Sequence, residues 1–286
     1  LLGWAVIGFG MGAGLYDAAF STLGRIFGAS ARRAITHLTL FGGFASTVCW
    51  PLSALAVEHI GWRGACFAYA AVQALVMAPT LFLLLPREAR KAPSALDRAG
   101  AGTTTSRERR TFWLLAVILM ANGAVQTTVS VHLLTILQAQ GMQLVAAVAV
   151  GALIGPSQVG ARVIEMLVGD RLDPTATLAW AGALVAVGVL LLALGAGPAA
   201  VAVVLYAAGN GVWSIARGTV PLALFGAERY AVVIGRLAAP NLMVQAAAPF
   251  AAGLVIAQVG TETTMAALAT VAATNLVATI ILVWRS

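Results

Sequence analysis

The stretch "GNGVWSIARGTVP", Gly209 to Pro221, sets Arg217 in a segment otherwise suited to lipid. A guanidinium at the centre of a membrane helix costs between about 2.5 and more than 10 kcal/mol, so such a group faces a partner or a water-filled cavity. Two chemistries offset that cost: an anionic substrate, or a carboxylate of the protein itself. Asp17 is the matching carboxylate. By helical rise, Arg217 lies about 12 Å from Phe225 and Asp17 about 15 Å from Phe27. The hydrocarbon core is about 30 Å thick, so both groups belong near its middle. Asp17 can gate Arg217 or carry a proton. The plain alternatives are a structural ion pair and an arginine snorkelling to the interface.

Polar residues follow the same helical spacing nearby. Asn210, Trp213, Arg217 and Pro221 share one face, with Ser214 beside it, and Asn122, Gln126 and Ser130 recur in steps of four. We expect these stripes to meet Asp17, Ser21 and Gly24 in one cavity, with Trp213 free to stack on the Arg217 guanidinium or on substrate. A second charged face holds Gly151, Gly155, Gln158, Arg162 and Glu165. Arg162 and Glu165 are three apart and can pair locally, or Arg162 can serve substrate or a gate. The run "GFGMGAG" has the look of a dinucleotide loop but no βαβ context, and its Gly8/Gly12 and Gly10/Gly14 pairs suit close helix packing.

The elements that position these groups must be membrane helices. Of 286 residues, 60% are hydrophobic and only 9% charged, with a mean hydropathy of +0.93, far from a soluble domain. The formal charge of +7 is scattered between apolar runs, which excludes a nucleic-acid surface. Cys49 and Cys66 lack metal-ligand spacing and are expected as buried, unpaired thiols. No HExxH, paired nucleophile and base, or GxxxxGK[ST] loop occurs, so the chain reads as no enzyme, with no cofactor and no metal. Trp4, Trp62, Trp113 and Trp284 fall at expected membrane boundaries.

Nine apolar segments are long enough to span: about 1 to 27, 34 to 58, 63 to 85, 112 to 138, 144 to 168, 176 to 196, 199 to 224, 232 to 258 and 264 to 284. Arginines gather in alternate loops, which places those loops and the C-terminus in the cytoplasm. The sole long polar stretch reads as a solvated linker at 87–111, between residues 1–86 and 112–286. At an offset of 198, Phe27-Gly28-Ala29 falls on Phe225-Gly226-Ala227 and Pro51 on Pro249. Parallel repeats around a central linker are one way transporters are built.

With "GGFASTVCWP" (42–51), "GWRGACF" (61–67) and "GDRLDP" (169–174), the chain resembles the major facilitator superfamily. The resemblance implies an all-α integral membrane bundle with nine of twelve transmembrane helices present, helices 4 to 12. Residues 1–86 would be the last three helices of the first half, and 112–286 the complete second half. It implies secondary transport of a small solute by alternating access, driven by a proton or solute gradient. Arg217 makes an organic anion a candidate, and sixteen arginines against one lysine point to a GC-rich bacterial genome and so to a bacterial cytoplasmic membrane. The Gln158-to-Arg162 spacing is similar to an Asp-to-Arg pair on the eighth helix of monocarboxylate transporters. A proton-coupled multidrug exporter is the rival, and a non-transporting sensor or inactive fragment the alternative of another class.

Overall fold

The computed structural model describes residues 2–84, 105–169, 172–195 and 197–285. Most of the linker, and Asp170 and Arg171 of the "GDRLDP" turn, lie outside the described residues. Among those described, regular structure is entirely helical: α1 Leu2–Gly14, α2 Tyr16–Phe27, a 3-10 turn Gly28–Ser30, α3 Ala31–Val72, a π-turn Gln73–Met77 and α4 Ala78–Leu84. Then follow α5 Ser106–Ala139, α6 Leu144–Gly151, α7 Ile154–Val168, α8 Pro174–Leu194 and α9 Ala199–Arg285. Five described stretches are long and apolar enough to cross a membrane: Leu52–Leu84, Ser106–Ala139, Leu144–Val168, Pro174–Leu194 and Ala199–Arg285.

The 87 residues of α9 would make a rod of about 130 Å, some four times the hydrocarbon thickness. The chain turns back instead. Gly226 (φ 74°) and Gly260 (φ 88°) leave helical geometry, a left-handed region open to glycine because it has no Cβ. The lengths 199–225, 227–259 and 261–285 then pack together, with Trp213, Val233, Leu237 and Leu282 in one apolar cluster. Gly61 (φ 70°) breaks α3 in the same way, and Gly28 (φ 55°) closes α2. These turns recur on the sequence repeat: Gly28 and Gly226 are 198 residues apart, Gly61 and Gly260 are 199 apart.

Two expected continuous spans are interrupted. The span 1–27 breaks at Leu15, whose φ of −90° and ψ of −167° are extended; Gly10, Gly12 and Gly14 precede it, and glycine weakens helix by about 1 kcal/mol each. The span 144–168 is interrupted at Ala152 and Leu153, ahead of Pro156, which has no N–H to return to the carbonyl four residues back.

Two compact units emerge, Leu1–Gly43 with Thr105–Ser286, and Phe44–Thr104. In the larger, α8 and α9 meet backbone to backbone. A methyl group on Gly188 would lie 2.7 Å from Tyr206 Cα and 2.8 Å from the Ala202 carbonyl oxygen, neither of which can swing aside. Gly188→Ala is therefore expected to destabilise the unit by about 1–3 kcal/mol, seen as a lower thermal midpoint in detergent; an unchanged midpoint would contradict this packing. A separate cluster joins Phe20 of α2 and Ala31 and Ile35 of α3 to Leu222, Tyr230 and Ile234 of α9. Tyr230 Oη donates to the Gly218 carbonyl at 2.7 Å, tying together the two lengths of α9 on either side of Gly226.

In the smaller unit, Ser53 Oγ lies 2.7 Å from Tyr69 Oη. Cys49 and Cys66 are free thiols there, and both are exposed, which corrects the expectation of burial. The reason is the solvent: a membrane helix can present apolar and weakly polar groups to lipid without an interior to receive them. Trp62, Trp113 and Trp284 are likewise exposed.

Candidate functional site

Asp17 occupies the first turn of α2, directly after the break at Leu15, where a helix N-terminus favours negative charge. Arg217 Nη2 donates to its Oδ1, so the charges matched by depth in the sequence are ion-paired. Their side chains remain 20% and 18% exposed. The pair is shielded without being sealed.

Arg162 lies in α7 and is only 5% exposed. Its Nε donates to Ser214 Oγ at 3.1 Å and to the Gly211 carbonyl at 3.3 Å, and its Nη2 to Gln158 Oε1 at 3.4 Å. All three acceptors are neutral. Glu165, the expected local partner, forms an ion pair with Arg32 at 3.9 Å, while Arg32 Nη2 also donates to the Gly169 carbonyl at 2.6 Å. Among the described residues no carboxylate pairs with Arg162. Burying a cation without a counter-charge is unfavourable by several kcal/mol even after hydrogen bonding.

The remaining expected cavity residues divide. Trp213 is buried in the apolar cluster with Leu178 and Ala181 of α8, so it packs inside the bundle and not on the Arg217 guanidinium. The reason lies in helical geometry: 213 and 217 are about 40° apart around the helix and about 6 Å apart along it, enough for them to meet different neighbours. Asn122 and Asn210 are also interior, 1% and 3% exposed. Asn210 Nδ2 donates to the Tyr206 carbonyl at 3.1 Å, whereas Asn122 Oδ1 and Nδ2 have no partner among the described residues. Gln126 is half-buried, and its carbonyl accepts from Tyr206 Oη at 3.2 Å. The single cavity expected from three polar stripes divides into the Asp17–Arg217 pair and, separately, the Arg162–Gln158 contact, beside a polar bundle interior.

Sequence reasoning missed Tyr16, the first residue of α2. A built Cβ on Gly42 would meet its hydroxyl and lie 3.1 Å from its Cζ, while its ring stacks on Phe20 at 5.4 Å. No spacing rule signals it, because its place depends on the break at Leu15.

The site is walled toward Phe225, the end of the first length of α9. Phe20 and Ile35 press on Gly218, and Tyr230 on Gly24; Arg32 reaches the Gly169 carbonyl just past the end of α7. Arg229 Nη1 and Glu108 Oε1, 3.2 Å apart, add an ion pair between α9 and α5. Along α1, added methyls on Gly8, Gly10, Gly12 and Gly14 would meet open space.

Together these features define a multi-pass helical membrane protein with charged side chains brought together between its helices. The family model described as Major Facilitator Superfamily matches residues 1–237. The chain belongs to that superfamily, whose members are secondary transporters of small molecules. Among curated proteins, none matches it.

Proposed function

We propose that this chain is part of a transporter for a small organic anion, working by alternating access across a bacterial cytoplasmic membrane. The observation that supports this reading best is the buried Arg162 with neutral protein partners only. A cation held in that state is stabilised by an anion arriving from outside the protein. Arg217 differs, since Asp17 already neutralises it. That contrast gives the two arginines separate tasks: Arg162 binds the anion, and the Asp17–Arg217 pair opens and closes with the cycle.

Protons suit this pair as the coupling ion. Protonating Asp17 removes the charge that holds Arg217, and the pair is accessible enough for water to reach it. With the Phe225 end read as cytoplasmic from the arginine distribution, the packed cluster of Phe20, Ile35, Leu222 and Tyr230 supports an outward-facing reading of this conformation. In this scheme residues 1–86 contribute the last three helices of one half, 112–286 form the other, and the C-terminus is cytoplasmic.

The test is uptake into proteoliposomes of a panel of short carboxylates and of lipophilic cationic drugs. Saturable carboxylate uptake that an inward proton gradient accelerates is expected. Saturable transport of the cations, unaffected by any change at Arg162, would overturn the anion reading and favour a multidrug exporter.

A further inference from the structure

Resting on the anion-site reading of Arg162, a more detailed arrangement follows from the adjacent glycines of α3, Gly42 and Gly43. A methyl on Gly43 would overlap Arg162 Nη1 and lie 3.3 Å from its Cζ; a methyl on Gly42 would overlap Tyr16 Oη and lie 3.1 Å from its Cζ. The guanidinium and the phenol therefore fill the space that side chains at 42 and 43 would take. Neighbouring Cα atoms are 3.80 Å apart, so one peptide unit brings two donors from different helices to a common shelf.

Both donors have capacity to spare. Arg162 spends Nε on Ser214 and Gly211 and Nη2 on Gln158, which leaves Nη1, the corner against Gly43, without a protein acceptor among the described residues. The Tyr16 hydroxyl likewise makes no hydrogen bond there. Its ring is fixed, stacked on Phe20 with 25° between planes, and its direction is set by the extended Leu15 immediately before it.

We propose that Tyr16 is a substrate-binding residue and that Gly42 and Gly43 form the floor of its site. A substrate carboxylate accepts from Arg162 Nη1 through one oxygen and from the Tyr16 hydroxyl through the other. Two donors suit the two oxygens of a carboxylate better than a tetrahedral oxyanion such as sulfate, whose additional oxygens find no donor at Gly42 or Gly43.

Acetate, the minimal carboxylate, tests this with the full-length protein in detergent, by thermal stabilisation against ligand concentration, with sulfate as the comparison anion. The wild type is expected to be stabilised by acetate more than by sulfate, and Arg162→Gln to lose the response. Tyr16→Phe keeps the stacked ring and removes one oxygen, and is expected to weaken acetate about tenfold, the effect of one hydrogen bond to a charged group. Gly42→Ala displaces the same hydroxyl, so it should weaken acetate similarly, with the double variant no worse than either single one. Wild-type acetate affinity in Tyr16→Phe, while Arg162→Gln still abolishes binding, overturns the role of Tyr16 and leaves the anion site standing. Additive losses in the double variant overturn the floor role of Gly42, since they mark its effect as independent of the Tyr16 hydroxyl. No acetate response in the wild type overturns both readings together.

Discussion

Arg162→Gln is expected to lower carboxylate uptake, as kcat/KM, by about 100-fold or more, while leaving the thermal midpoint of the ligand-free protein unchanged or higher. The two halves of this result have one cause. A buried guanidinium with neutral acceptors pays desolvation without a Coulombic return, and replacing such a group with a neutral one of similar volume is neutral or stabilising by about 1–4 kcal/mol. The change leaves the former acceptors satisfiable: Ser214 Oγ already donates to the Gly211 carbonyl at 2.7 Å, and Gln158 is only half-buried. Function is lost because the substrate's charge then has no partner in a poorly solvated site, a loss of about 3 kcal/mol corresponding to 100-fold or more. Uptake assays and thermal unfolding on the same preparations check both parts. A variant that unfolds but transports normally per folded molecule would show Arg162 to be structural.

Asp17→Asn is expected to behave in the opposite way. It leaves Arg217 without its carboxylate, and breaking a shielded pair from one side costs about 3–5 kcal/mol; exposure of about a fifth of each side chain places this case near 3. The thermal midpoint falls. The double variant Asp17→Asn with Arg217→Gln removes both charges and should recover most of the loss, yet it should not recover proton-driven uptake, because no titrating group remains at that point. Substrate exchange without a proton gradient is the control that separates lost coupling from lost binding. If the double variant still concentrates substrate on a proton gradient, the coupling proton is carried elsewhere.

These opposite signs cannot be anticipated from composition, because the two guanidiniums concerned, Arg162 and Arg217, are both intramembrane arginines. Their difference lies in which carboxylates their neighbours present. Arg217 and Asp17 are 200 positions apart in the chain, and helical rise alone put them at matching depth; their pairing follows because similar depth on facing helices leaves few other partners. Arg162 and Glu165, by contrast, satisfy a local spacing rule, yet Glu165 takes Arg32 from α3. A three-residue spacing brings side chains within reach but does not exclude a competitor from another helix. Trp213 shows the same limit from the other side, since a face drawn by spacing is wide enough to meet both the bundle interior and the charged site.

Membrane residence, helical class and the matching of Asp17 with Arg217 were legible in the amino-acid order, because lipid admits only backbone that satisfies its own hydrogen bonds and because rise per residue is constant. The positive-φ turns at Gly28 and Gly226 also fell on the repeat that the letters display. Partner choice, the extended Leu15 that directs Tyr16, and the glycine floor beneath Arg162 were decided in three dimensions. Each depends on which helices come into contact, and contact between helices is set by side-chain shape on several segments at once, a property no single segment's spacing contains.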